Sequence, residues 1–177
     1  MRRKNILRGL LCAAVLLGAA LVGAQEVSAR ETVLIAGNAD LYPIESYDSR
    51  SDSYVGLLPE LYRRVSGCTD YDLVYLPYSK NTTQAQQAEN RQADIISAFP
   101  AGTVDSAYLR RSELFCSLPA SGKPQNICIG FASALPEAQA EEIARALDDI
   151  GAAERLGILA VSVEDGGTAL YRTRWLV

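Results

Sequence analysis

The chain has 177 residues, a formal net charge of −4 and no histidine. Without histidine there is no Ser-His-Asp or Cys-His arrangement and no imidazole metal ligand. An acidic chain with no basic stripe is a poor partner for nucleic acid.

The N-terminus opens on Met1-Arg2-Arg3-Lys4, and Ile6 to Val22 is mostly Leu, Ala, Val and Gly. A basic leader, an apolar run and small residues at Ala24 and Ala29 form the pattern of a secretory signal peptide over residues 1–29. The competing reading is an uncleaved anchor, weakened by the alanines and glycines of the run. The expected location is periplasmic or extracellular. Residues 30–165 are expected to form one α/β domain, and 166–177 a C-terminal tail.

Thr32 to Gly37 is a short apolar run closed by Gly37-Asn38, as in a buried parallel strand. The loop that follows carries Tyr42, Tyr47 and Tyr54. Leu57 to Ser66 has helical spacing of Leu57, Leu58, Leu61, Tyr62 and Val65, with Ser66-Gly67 as a stop. Tyr71 to Tyr78 reads as a second strand. A polar second helix runs to Gln92, capped by Asn81 or Thr82, with Ala85 and Ala88 facing inward. Ala93 to Phe99 is a third strand. Short βα links of this kind favour parallel strands with right-handed crossovers.

Residues 100–126 read as loop with a short helix from Ser106 to Leu114. Ile127 to Phe131 is a fourth strand. Pro136 to Ile150 is a helix with Pro at its start, acids near its positive end and an Ala140, Ile143, Leu147, Ile150 stripe. Ile158 to Val163 is expected to be a last strand. The pairs Glu141-Glu142 and Asp148-Asp149 read as a solvated helix face.

Cys68, Cys116 and Cys128 lie beyond the leader. An exported chain can form one disulfide among them, and Cys116 with Cys128 is favoured because both flank a connection holding Pro119, Gly122 and Pro124. Three small buried hydrophobes are an equal alternative. Three scattered cysteines without histidine argue against zinc, and Gly122-Lys123 lacks the spacing and Ser/Thr of a phosphate loop. The expectation is a non-enzymatic domain with no cofactor and no metal.

Several segments together resemble a known family: Tyr42-Pro43, Tyr47-Asp48, Tyr54-Val55-Gly56-Leu57-Leu58-Pro59-Glu60-Leu61 and Gln92-Ala93-Asp94-Ile95-Ile96. They are similar to the first lobe of the bacterial extracellular solute-binding proteins of family 3. That family includes periplasmic amino-acid receptors of importers and sensor domains of signalling proteins. Its members follow the first strand with a Tyr-Pro-Pro-Phe-like loop, begin the first helix with Gly-Phe-x-x-Asp-Leu and precede the third strand with Gly-x-x-Asp-Ile. Here Glu60 stands for the usual Asp, and Ile44 for the second Pro. Ile127 to Ile158 resembles the family's return segment.

The resemblance implies a single three-layer lobe with a mostly parallel sheet. Between Phe99 and Ile127 there is no room for a second βαβ lobe. It also implies a solute half-site at the carboxyl ends of the strands, lined by Tyr42, Tyr47, Tyr78, Phe99 and Thr103. The amino-acid clamp of the family, an Arg three residues after a Thr, is missing: Ser106 stands at that spacing from Thr103, leaving Arg110 or Arg111 as substitutes only if the loop folds back. Asp94 is expected to order a loop by accepting hydrogen bonds. The implied function is recognition of a small polar solute such as an amino acid. The implied partners are a membrane permease or signalling protein, or a dimer or partner that supplies the missing lobe. The alternative is an interaction module that kept the fold and lost the solute.

Overall fold

The computed structural model describes residues 30–118 and 124–165, with side chains to residue 161. The expected leader and tail lie outside the described residues. In chain order the elements are β1 (Glu31–Ala36), β2 (Asp40–Leu41), β3 (Glu45–Asp48), β4 (Ser53–Val55), α1 (Leu57–Cys68), β5 (Tyr71–Tyr75), α2 (Gln84–Glu89) and β6 (Ile95–Pro100). A 3-10 turn (Ser106–Tyr108) leads to β7 (Leu109–Leu118), β8 (Gln125–Ala132), α3 (Glu137–Asp148) and α4 (Ala152–Asp165).

The central sheet has the order β5-β1-β6-β8-β7. β1 is parallel to β5 and β6, while β8 is antiparallel to both β6 and β7. Four of the five strands therefore point the same way, and the sheet is mostly parallel, as expected. Alternation along each strand sends side chains to two faces. Val33, Ile35, Ile95, Ile127, Ile129 and Phe131 meet Leu58, Leu61, Val65, Ile143 and Leu147 of α1 and α3 in the main core. Ala36, Ile96 and Phe99 face the other way, onto Ala88 of α2. The result is three layers, with the carboxyl ends of β1, β5 and β6 at one rim.

Asp94 acts as expected. Its carboxylate accepts the Leu34 N–H at 2.9 Å, locking the entry of β6 beside β1. The polar second helix is shorter than expected, and its cap is Thr83 rather than Asn81 or Thr82. The Thr83 hydroxyl accepts the Gln86 N–H while the Gln86 side chain accepts the Thr83 N–H, a reciprocal capping box.

Three expectations fail on local periodicity. The helix expected over Ser106 to Leu114 is a single 3-10 turn, followed by a ten-residue strand. Along that strand Leu109, Arg111, Glu113 and Phe115 are half-buried and Arg110, Ser112 and Leu114 exposed, a period of two that pairing with β8 stabilises. This β7–β8 pair occupies the stretch where a second lobe would be inserted. The strand expected at Ile158 to Val163 lies within the helix α4. Its β-branched residues lose to the helix formers Ala152, Ala153, Glu154 and Leu156, and to docking on α1 through the Arg64–Glu154 ion pair and buried Ile158. The loop after β1 is not only a loop: β2, β3 and β4 form a small antiparallel sheet.

The favoured Cys116–Cys128 bridge is absent, and Cys68, Cys116 and Cys128 are free thiols. The β7–β8 register explains it. Cys128 sits opposite Leu114 and Cys116 opposite Ile127, with an irregularity between Leu114 and Cys116, so the two cysteines are not a facing pair.

Candidate functional site

The site is built around one buried acid. Glu45 begins β3 and is 0% exposed, although it follows a turn in a polar stretch of sequence. Its carboxylate accepts hydrogen bonds from the Tyr75 hydroxyl, from the Ser97 hydroxyl at 2.8 Å and from the Asn38 N–H at 2.6 Å. Ser97 in turn accepts the Tyr62 hydroxyl at 3.2 Å. One side chain thus ties the small sheet to the ends of β1, β5 and β6. Burial pushes the carboxyl up to about 7, against the opposing pull of its bonds to Tyr75, Asn38 and Ser97.

The strand ends beneath it diverge. Ala98 has φ 45, so β1 and β6 part after the Ala36–Ile96 pair. Polar side chains satisfy the freed carbonyls: the Asn38 amide donates to Ala98 O at 2.7 Å, and the Gln84 amide donates to Ala36 O at 2.9 Å and to Ser97 O.

Against this frame stands a ladder of tyrosines. Tyr78 stacks on Tyr47 with centroids 4.2 Å apart, and Tyr47 meets Tyr54 edge-on at 5.7 Å. Tyr54 stacks on Tyr75 at 4.5 Å, and Tyr75 meets Tyr62 edge-on at 6.0 Å. Such pairs each add about 0.5–1.5 kcal/mol beyond burial. Gly37 makes room for the ladder, since a Cβ there would lie 2.5 Å from the Tyr54 ring. Three hydroxyls are already bonded: Tyr47 donates to Asp52 on the exposed hairpin, Tyr75 to Glu45 and Tyr62 to Ser97. Burial, followed by the Glu45 charge, pushes the Tyr54 phenol up to about 12.

All five tyrosines line one groove of about 680 Å³, bounded by the β3–β4 hairpin, by α1 and by β5 with its extension to Tyr78. That volume falls within the range of small-molecule sites. Asp52, Asp72, Arg63 and Ser66 also line it. Arg63 is held on α1 by two bonds to Glu60, at 2.8 and 2.6 Å.

Of the expected half-site residues, the structure brings Tyr47 and Tyr78 into contact. Tyr42 is half-buried in the turn before β3 and does not line this groove. Thr103 is exposed in the turn after β6, its hydroxyl donating to Pro100 O at 2.7 Å. Phe99 is 3% exposed and packs in the α2-side core, so it offers no ring to a ligand. Neither arginine replaces the missing clamp. Arg110 spends its guanidinium on Leu135 O, Ser133 O and Glu137, and Arg111 is paired with Glu113 and lies over Phe131. Glu45, Tyr54, Tyr62 and Tyr75 were not among the expected site residues. Among the described residues no three acidic or cysteine side chains converge as a metal site, and no helix is long and apolar enough to cross a membrane.

The chain is similar to solved structures over nearly their whole length. Domain 1 of TmArgBP, in its arginine-bound form, matches at TM-score 0.53 and 16% identity, over 72% of this chain and 99% of that one. The fold is that of one periplasmic-binding-protein-like lobe. An arginine-specific periplasmic binding protein of Salmonella typhimurium matches at TM-score 0.56 and 9% identity, over 76% of this chain and 98% of that one. A histidine kinase sensor domain with similarity to periplasmic binding proteins matches at 0.51 and 10% identity, covering 83% and 97%. These neighbours are binding and sensor domains rather than enzymes. No family model and no curated protein matches the chain.

Proposed function

We propose that the chain is an exported, non-enzymatic solute-binding lobe of the family 3 type, periplasmic or extracellular, that recognises a small polar solute such as an amino acid for transport or sensing. The observation that carries this reading is the tyrosine groove, which runs along edge strand β5 and α1 and reaches the carboxyl end of β5 at Tyr75 to Tyr78, part of the rim where open α/β sheets hold ligands. A single domain of TmArgBP is described in an arginine-bound form, which supports binding by one lobe without its opposite wall. A half-site buries less of its ligand than a closed cleft, so the affinity is weak unless a partner covers it. A permease, a signalling protein or a second copy would be that partner.

The test is a thermal-shift screen of the exported chain against amino acids, amines and other small polar solutes. At about ten times its Kd a solute stabilises by roughly 1.4 kcal/mol, a rise in melting temperature of about 5 °C for a domain of this size. Tyr78→Ala removes that rise. A screen in which no solute moves the melting temperature defeats the proposal. The second reading, an interaction module, draws support from Arg110 and Arg111, both committed elsewhere. A solute-deaf monomer on size exclusion would favour it.

A further inference from the structure

We infer that the solute is an organic cation, an alkylammonium or guanidinium, held on the tyrosine ladder beside Asp52 and recognised without a carboxylate clamp. This inference rests on the solute-binding reading and narrows its chemical class.

Three features of the groove converge on that class. Its wall is aromatic, from Tyr47, Tyr54, Tyr75 and Tyr78, and the hydroxyls of Tyr47 and Tyr75 are already committed to acids. Tyr47 stacks on Tyr78 and Tyr54 on Tyr75, so what remains for a ligand is the outward ring surface, whose negative faces attract cations within about 6 Å. The hairpin carries two acids, Asp48 and Asp52, against one base, Arg50. Among the described residues neither Asp48 nor Asp52 has an ion-pair partner, while Asp72, also in the groove, is partly neutralised by Arg30 at 3.3 Å. The buried carboxyl of Glu45 lies behind the ladder, bonded to Tyr75. Arg63, the cationic side chain lining the groove, is paired with Glu60, a carboxylate that Arg64 shares.

The same geometry counts against an anion or an ordinary zwitterion. A solute carboxylate would approach aromatic faces and aspartates, and Arg63, the arginine lining the groove, is already paired with Glu60, while Arg110 and Arg111 are engaged at β7. Losing the carboxylate therefore costs the ligand nothing here. The half-site thus selects by positive charge and by the absence of negative charge.

Calorimetry on the exported chain with agmatine, arginine, citrulline and glutamate separates the possibilities. Agmatine carries guanidinium and ammonium groups without a carboxylate, and citrulline replaces the guanidinium by a neutral urea. Agmatine should bind at least as tightly as arginine, and citrulline and glutamate about tenfold more weakly or not at all. Tyr78→Leu should weaken agmatine about tenfold and Tyr78→Phe should restore it, because the ring rather than the hydroxyl binds. Asp52→Asn should weaken it about fivefold, and raising salt from about 20 to about 500 mM should weaken it further. Citrulline or glutamate binding as well as agmatine, with loss in Tyr78→Leu, would overturn the cation while leaving the solute-binding lobe standing. Failure of all four, together with a silent thermal screen, would overturn both.

Discussion

Replacing Glu45 by Ala should destabilise the fold by roughly 3–5 kcal/mol in urea melts at pH 6, with loss of the near-ultraviolet signal of the tyrosines. Three donors, the Tyr75 and Ser97 hydroxyls and the Asn38 N–H, lose one acceptor in a site without water access. Each orphaned buried donor costs about 1–3 kcal/mol, and the emptied volume adds to it. Glu45→Gln is the more telling variant because it separates charge from shape. The carboxyl has its folded pKa near 7 and its ordinary value at 4.5, raised chiefly by burial. Its contribution is therefore complete below about pH 4.5. It declines as the unfolded chain ionises and levels off above about 7, a loss of about 3 kcal/mol. The groups that face it, Tyr75, Tyr62 and Tyr54, are phenols pushed upward and stay neutral throughout. Glu60, held low by Arg63, titrates beneath this window and does not mimic the effect. Glu45→Gln should flatten the decline between pH 4.5 and 7. A wild-type profile that is already flat there, or a Gln variant that keeps the slope, would refute the buried-acid account.

That buried acid also marks where sequence reasoning stops. The apolar runs of β1, β6 and β8 and the stripes of α1 and α3 were legible because burial on a sheet or helix face leaves a period in the residues. Asp94 was legible because an acid at a strand entrance has few roles besides accepting backbone N–H groups. Glu45 carries no such mark, since an acid after Ile44 in a run of serines and tyrosines looks solvated. Only the convergence of Asn38 from the loop after β1 with Tyr75 of β5 and Ser97 of β6 makes its burial tolerable. Strands of two to four residues, such as β2, β3 and β4, are too short for periodicity to register. Phe99 was misplaced for a related reason. A strand-end residue can face ligand or core, and the turn of the backbone at Ala98 decided for the core.

Two of the five tyrosines lining the candidate groove were legible in the sequence. Tyr47 and Tyr78 were expected at the rim because loops after parallel strands gather there. Their partners were not, because Tyr54, Tyr62 and Tyr75 come from a short hairpin strand, a helix and a strand whose side chains meet only after the hairpin folds over β5. The ladder therefore depends on how the hairpin is anchored at both ends. Glu45 fixes the start of β3, and the turn from β4 into α1 fixes the finish.

Gly56 is that second anchor, and Gly56→Ala should cost roughly 3–5 kcal/mol. Its backbone lies at φ 123 and ψ −163, a region reserved in practice for glycine. A Cβ there would stand 2.8 Å from Pro43 O and 2.9 Å from Ile44 O, both main-chain atoms that cannot swing aside. Those two carbonyls accept the Leu57 and Leu58 N–H groups at 3.1 and 2.9 Å, the otherwise unsatisfied donors at the start of α1. Backbone strain of about 1–3 kcal/mol thus adds to the weakening of two capping bonds worth about 0.5–1.5 kcal/mol each. Gly67 supplies the contrast within the same helix. A Cβ there meets nothing within 4 Å, and Gly67→Ala should stabilise by about 0.5–1 kcal/mol. Parallel urea melts of the two variants test the account, and solute titrations connect it to the groove. Gly56→Ala should lose solute binding even under conditions where it remains folded, because Tyr54 sits two residues before the strained position. Equal stabilities for the two alanine variants would show that the β4–α1 junction is not what holds the hairpin in place.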